Sequence, residues 1–423
     1  MSADRQRVAV VGGHAHAVMS ALDLDLDVVL VHAPGMYEEM LHGYCERIVH
    51  ADLGDPDSLL AALSPLHAER PFVRVLTTSE VGAVPTAQVV AKLGLPGNSV
   101  ESVRALYDKA LTRQALDRAG VSPVRHRVVT SAAELAAFAE AVGGRIVVKP
   151  VDGTASADVH LLDDPSAAAG AWASMAVAGY ARALAEEFLD GPVISVESFS
   201  ADFRHLPVAL MTSVLNEHLV EMQHCIPGAY GAEWTQELFA QTVALLTEVG
   251  LREGPTHTEF ILTADGPRML ESHSRMGGGG TSSILLRAHR MDFSRMFLSV
   301  PMGIEQLPPR APDAVAGGAI QFFAPPPGEI VGFAGLDALR ADGVVVRHAP
   351  AGSRLPGVPG LVELNDAPVG VMLQMNVGDV VPPIRAGWDR IMGYVIATGG
   401  DTAEAVRRCA EVDARLRFQV KDA

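Results

Sequence analysis

Residues 256–282 read THTEFILTADGPRMLESHSRMGGGGTS, and this stretch decides the fold. Thr256–Leu262 and Arg268–Ser274 carry enough apolar and β-branched residues for two strands, and Ala264-Asp265-Gly266 between them is turn chemistry. A three-residue loop with Gly266 in the left-handed conformation is a common hairpin closure. Centred on Asp265, it sets Glu259 opposite Glu271 and His257 opposite His273. Alternate side chains share a face, so His257 and Glu259 stand with Glu271, His273 and Arg275. Two carboxylates facing each other at about 5 Å destabilise a strand pair. A divalent cation between them removes the objection, and oxygen ligation suits magnesium, which takes one or two carboxylates plus substrate phosphates. Arg275 and four glycines follow, a positive charge beside backbone that can approach an anion closely. Phe260, Ile261, Leu262, Met269 and Leu270 read as buried. Acids interleaved with them argue against a plain surface hairpin with solvated carboxylates.

The chain has 423 residues, room for two to four domains. An apolar content of 48% with 20% charged residues describes an ordinary globular protein. A net charge of −17 argues against a nucleic-acid partner, while leaving room for a local positive pocket. Cys45, Cys225 and Cys409 are odd in number, far apart and without metal spacing, which fits free thiols in a reducing compartment. No signal-peptide core precedes the first glycines, and no run approaches the roughly 18 apolar residues of a membrane span. The expectation is a cytoplasmic protein with no membrane partner.

In chain order, RVAVVGG at 7–13 is a buried strand ending in glycines, followed by a helix from His14. The full dinucleotide spacing is missing, so a tight βα turn explains these glycines better than a cofactor fingerprint. Strands at Asp27–His32, Arg47–Ala51 and Phe72–Thr77 alternate with helices, which implies a doubly wound α/β domain. Ligands in such sheets collect at the carboxyl ends of strands. That makes Glu80, just after Thr77, a candidate for a cationic substrate group. An acid at a helix start, favoured by the macrodipole, is the plain alternative.

Leu106–Gly120, LYDKALTRQALDRAG, reads as a helix stopped by Gly120. Lys109 and Arg113 share its face, in the plain reading a solvated basic one. Pro123–Thr130 is extended, Ala132–Val142 helical, and Arg145–Pro150, RIVVKP, a strand. Lys149 within that apolar strand calls for an anion. Asp152–Ala157 is a small-residue loop able to cover phosphates and to move as a lid. Ala185–Gly191, AEEFLDG, reads by composition as an acidic helix end, although a connection of this kind can present backbone groups to a planar base. A strand follows at Val193–Phe199. His224 precedes Pro227-Gly228, where a lone histidine is more often structural than functional. Residues 236–249 form an amphipathic helix. Beyond a Pro-rich boundary at 307–312, the remainder is strand-rich and carries no catalytic constellation.

These pieces, in this order, resemble the ATP-grasp superfamily, and within it the carboxylate–amine ligases of the L-amino acid ligase type. The resemblance rests on Asp108-Lys109, RIVVKP with its loop, EEFLDG, and the pair TEF…LESHSR. It implies an α/β and α+β protein with three parts: a Rossmann-like pre-ATP-grasp domain over 1–104, an ATP-grasp domain over 105–305 with a mobile lobe at about 123–190, and a C-terminal ligase domain over 306–423. It implies ATP as cofactor, with Mg2+ or, alternatively, Mn2+. Lys109 and Lys149 would contact phosphates, Ser156 would sit in the phosphate lid, and Glu186, Glu187, Phe188 and Leu189 would line the adenine pocket. Glu259 and Glu271, with His273, would hold the metal. Arg275 would stabilise the acyl phosphate and the tetrahedral intermediate, Lys149 would be the second catalytic residue through its phosphate contact, and Glu80, His224, Arg275, Gly277 and Gly278 would meet the substrates. Those would be a small carboxylic acid, an amino acid by preference, and an amine; a homodimer is a further expectation.

The chain departs from the family at three places, one of them the loop after Lys149, which has fewer glycines than usual. Asparagine is usual two residues after the second metal acid, where His273 stands. The glutamate that often holds the ribose aligns with Val193. Two other readings share the same motifs: another ATP-grasp ligase, of purine synthesis or carboxylase-like, and a non-catalytic nucleotide-binding protein.

Overall fold

Val-rich runs near the start build a parallel sheet from β1 (Arg7–Val11), β2 (Asp27–His32), β3 (Arg47–His50) and β4 (Arg74–Thr77), in the order β3-β2-β1-β4. β1 and β2 are buried along their whole length, as parallel strands covered on both faces must be. Gly12 has φ +65, and a Cβ there would lie 2.5 Å from that of Ser79. Close packing of the first turn against the turn after β4 therefore accounts for this glycine. The computed structural model describes residues 5–13, 15–33, 38–153, 158–228, 230–353 and 355–421.

The helix expected through Asp108-Lys109 is in fact two, Val100–Tyr107 and Lys109–Ala119. Asp108 breaks it by capping the second helix, its Oδ1 accepting from the backbone N–H of Ala110 at 2.9 Å and of Leu111 at 3.2 Å. Aspartate satisfies orphan donors at a helix start better than it sits inside a helix. The cap makes Lys109 the first helical residue. Gly120, at φ +68, ends the second helix as expected.

A second sheet holds β5 (His126–Val129), β6 (Ile146–Pro150), β7 (His160–Leu162) and β8 (Ala183–Glu187), antiparallel, in the order β5-β8-β6-β7. The acidic helix end read from composition at 185–187 is instead the inner strand β8. Pairing with β5 on one side and β6 on the other outweighs the helical preference of Ala-Glu-Glu.

The remaining strands are β9 (Val193–Ala201), β10 (Arg204–Leu215), β11 (Glu221–Ile226), β12 (Gly254–Thr263), β13 (Gly266–His273), β14 (Gly317–Phe322), β15 (Gly328–Ala334), β16 (Val345–His348), β17 (Val369–Leu373), β18 (Val380–Val381), β19 (Gly393–Gly399) and β20 (Arg417–Lys421). Nine of them join in one sheet, β13-β12-β9-β10-β11-β14-β19-β17-β16, and three form a small one, β18-β15-β20. The large sheet runs on across residue 306, because β11 pairs with β14.

The hairpin register at its functional end is the expected one: Glu259 opposes Glu271, and His257 opposes His273. The route to it differs. Thr263 pairs with Gly266, so the turn holds two residues instead of three, and a bulge between Glu259 and Phe260 sets Phe260 against Met269. Leu270 is the extra residue. A shorter turn plus a one-residue bulge gives the same count as a three-residue loop. The bulge also re-aims side chains. Met269 and Phe260 turn fully buried into a cluster with Ile194, Val196, Leu210, Leu238 and Leu245, while Glu271 and Glu259 face the other way. Ile261, Leu262 and Leu270, expected to be buried, are half-buried. Burying Phe260 and Met269 contributes about 1.5–3 kcal/mol each, enough to hold the hairpin while its other face carries acids.

Candidate active site

Three adjacent strands present a grid of polar side chains on one face. His257 of β12 is flanked by Glu197 of β9 and His273 of β13; one step along the strands, Glu259 is flanked by Ser195 and Glu271. His257 Nδ1 lies 2.6 Å from Glu197 Oε1 and its Nε2 3.1 Å from Glu259 Oε1. His273 Nε2 lies 3.0 Å from Glu271 Oε1, and its Nδ1 3.5 Å from Glu80. Burial opposes charge on His257, but the Glu197 and Glu259 carboxylates outweigh it and raise its pKa well above the usual value.

Cations reach this grid from distant segments. The Asp108 cap aims Lys109 so that its Nζ lies 2.9 Å from Glu271 Oε2 and donates to the Gly153 carbonyl at 2.7 Å. Burial pushes the Glu271 carboxyl up, but Lys109 and His273 bring it well below the usual carboxylate range. Arg275 donates to Glu80 from Nε at 3.0 Å. Lys109 and Arg113 are both buried, which overturns the plain reading of a solvated basic face.

Lys149 and Glu186 lie diagonally across the β6–β8 ladder, and Nζ stands 2.7 Å from Glu186 Oε2. Arg113 holds the other oxygen. Burial raises the Glu186 carboxyl, but Arg113 and Lys149 bring it down to about 2. A protein carboxylate therefore already accounts for the strand lysine, where the sequence called for an anionic ligand. The Glu186 side chain is spent inside this triad, so only its backbone is free to line a pocket. Glu187 pairs with Arg125 at 2.8 Å, and the Arg145 guanidinium lies 5.1 Å over the Phe188 ring. Leu189 is half-buried beside them. Ser156 falls outside the described residues.

The glycine run after Arg275 closes over two histidines. A Cβ on Gly277 would lie 2.8 Å from His257 Nδ1, and one on Gly279 would lie 2.7 Å from His224 Nε2. Gly278 has open space around it. His224 is buried, with Nδ1 2.9 Å from Ser213 Oγ and with Nε2 lacking a hydrogen-bond partner among the described residues. Burial holds its pKa below the usual value. Ser213 donates to Glu221 at 3.0 Å, and Arg390 donates to the Glu221 carbonyl at 2.6 Å while lying 4.4 Å over Phe322.

Comparison with known proteins accords with this geometry. Residues 18–97 match the ATP-grasp N-terminal domain model, and residues 348–421 match L-amino acid ligase C-terminal domain 2. The L-amino acid ligase of Bacillus licheniformis superposes on all of this chain and all of its own with a TM-score of 0.79 at 20% identity. The chain has the ATP-grasp fold. The alanine–anticapsin ligase of Bacillus subtilis (strain 168) is 25% identical over 250 residues, 53% of either chain. The chain thus spans about half the length of that relative. Phosphoribosylamine–glycine ligase of Streptomyces coelicolor is 28% identical over 97% of this chain and 95% of its own.

The donor set fits a divalent cation: Glu259, Glu271 and His273 offer ligand atoms all within 4.8 Å of one another. The protein's own ammonium, from Lys109, already stands on one of those oxygens. Sequence reasoning missed several of the residues gathered here. Glu197 carried a readable signal, an acid inside the apolar strand VISVESF. Arg113 had its spacing from Lys109 as a signal but read as solvated, while Glu221 and Arg390 carried none, since only tertiary packing brings them to the site. Among the described residues no helix is long and apolar enough to cross a membrane.

Proposed function

We propose that the chain is an ATP-dependent carboxylate–amine ligase. It would activate an amino acid as an acyl phosphate and pass it to an amine, releasing a dipeptide or dipeptide-like amide with ADP and phosphate. The observation that carries this reading is the facing pair Glu259–Glu271, with Lys109 on Glu271 and Arg275 on Glu80, the acid that His273 also faces. The inferred layout assigns 1–104 to the pre-ATP-grasp domain, 105–305 to the ATP-grasp domain with 123–190 as its moving lobe, and 306–423 to the ligase domain. The reaction would belong to the cytoplasm.

A carboxylate oxygen of the acid substrate attacks the γ-phosphorus, and the bond to ADP breaks. Such transfers need positioning and charge neutralisation more than covalent help. Lys109 and Lys149 would supply positive charge to the phosphates after leaving Glu271 and Glu186. Glu259 and Glu271 would hold Mg2+ or Mn2+, which when bound neutralises phosphate charge. The amine nitrogen then attacks the acyl carbon, the C–N bond forms, phosphate leaves and the nitrogen gives up a proton. Arg275 and the backbone of Gly277 and Gly278 would donate to the developing oxyanion. Closure of the loop containing Ser156 would keep water from the acyl phosphate.

The acid substrate would enter by replacing the Glu80–Arg275 bridge. Its ammonium would take Glu80 and its carboxylate Arg275, an exchange that a zwitterion can make and a simple acid cannot. His224 would line the amine side.

Measuring ADP release with pools of amino acids tests the proposal. Release that requires an amino acid together with an amine supports it; ATP binding without turnover under any pool sinks it. The full-length similarity to phosphoribosylamine–glycine ligase favours a second reading, a ligase of purine synthesis. Release driven by phosphoribosylamine and glycine alone would select it.

A further inference from the structure

The expected ligand role of His273 meets an obstacle in the grid itself. Both ring nitrogens already face carboxylates, Nε2 that of Glu271 and Nδ1 that of Glu80. His257 is engaged in the same way, between Glu197 and Glu259. The two rings stack at 6.3 Å with 18° between their planes. So each of the two acids has its Oε1 met by one member of a stacked histidine pair, and Oε2 of Glu271 is the oxygen that carries the Lys109 ammonium.

Glu197 is the least expected member. Its side chain is fully buried, Ser195 Oγ donates to Oε1 at 3.0 Å, and Oε2 has no hydrogen-bond partner among the described residues. A carboxylate so buried is costly, and for stability alone a packed apolar residue often does as well or better. Glu197 has one evident use here, holding the His257 ring. Gly277 closes over the same nitrogen so tightly that no side chain fits, and His273 covers the ring face. The imidazole is fixed on three sides, and what it presents is Nε2 to Glu259.

We propose that His257 and His273 are positioning residues and not metal ligands: each pins Oε1 of one metal-holding acid so that Oε2 is left for the cation, and Glu197 sets the pair. The inference rests on the metal-dependent reading above. It accounts for histidine at 273, where the resemblance led us to expect asparagine, since the ring both orients Glu271 and stacks on His257.

The experiment uses Mn2+ with a non-hydrolysable ATP analogue on the full chain, followed by electron paramagnetic resonance. Wild-type protein comes first; failure to bind Mn2+ with the analogue would count against the proposed function instead. In Glu197→Gln, Mn2+ affinity should fall about 10–100-fold, while analogue affinity in EDTA stays unchanged. A merely structural glutamate would not separate these two readouts. Unchanged Mn2+ affinity in folded Glu197→Gln overturns the proposal. Should that variant not fold, Ser195→Ala removes one donor to Glu197 at little cost in volume. It should weaken Mn2+ roughly threefold to tenfold, and no weakening overturns the proposal equally. Electron spin echo modulation of wild-type protein should show no directly bound histidine nitrogen on Mn2+. A strong nitrogen coupling would make His273 or His257 a ligand and end the positioning claim.

Discussion

Arg275 and Glu80 are 195 residues apart in the chain, yet both Nε and Nη2 of the arginine donate to a single oxygen, Oε2, at 3.0 and 2.5 Å. The bridge ties the turn after β4 to the end of β13. Burial pushes the Glu80 carboxyl up, but His273 and Arg275 hold it below its usual range, so it stands ionised.

Glu80→Ala should therefore lower amino-acid-dependent turnover while leaving ATP binding nearly untouched. A charge-assisted hydrogen bond contributes about 1.5–3 kcal/mol, which converts to a loss of roughly one to two orders of magnitude. Wild-type kinetics in this variant, or a preferred acid substrate without an amine, would return Glu80 to a helix-start acid.

Glu271→Gln should abolish ADP formation at any concentration of divalent metal while leaving the fold intact. It also strips Lys109 of its partner, so folding must be checked by circular dichroism. Surviving metal-dependent turnover would show that the β12–β13 acid pair is not the metal site.

Lys149→Ala should weaken ATP binding measured by calorimetry, even though Glu186 now explains the lysine structurally. Unchanged nucleotide affinity would confine Lys149 to its ion pair.

Glu186→Gln tests that triad separately. It leaves Arg113 and Lys149 buried without a counter-charge, and breaking such a pair costs about 3–5 kcal/mol. The wild-type carboxyl is held at about 2 against an ordinary 4.5, so between those values the unfolded chain binds the extra proton. Stability from Glu186 is whole above pH 4.5 and drains as pH falls toward 2. Acid unfolding monitored by fluorescence should lose this component in the variant; an unchanged acid slope would contradict the triad.

Asp108→Ala should lower stability by about 0.5–2 kcal/mol through loss of the helix cap. It should also raise KM for ATP, because Lys109 is the first residue that the cap orients. A stability loss with unaltered KM would separate the cap from the site.

Much of the fold was written locally. The Val-rich strands of the first sheet, the helix at 132–142 and the strand at 146–150 follow from short-range patterns of apolar residues and caps. Even the facing of Glu259 and Glu271 could be counted from the turn, because strand register propagates two residues at a time. The same counting could not see that a two-residue turn and a bulge at Leu270 produced the register, nor that Met269 and Glu271 therefore point to opposite faces. Composition misread β8, whose state is set by its neighbours β5 and β6. What tertiary structure alone decided is which charge meets which: Arg275 with Glu80, Lys109 with Glu271, Lys149 and Arg113 with Glu186, Glu197 with His257. A backbone pattern repeats over a few residues and leaves its period in the sequence. A buried ion pair leaves none, since attraction between charges fixes their distance in space and not their separation along the chain.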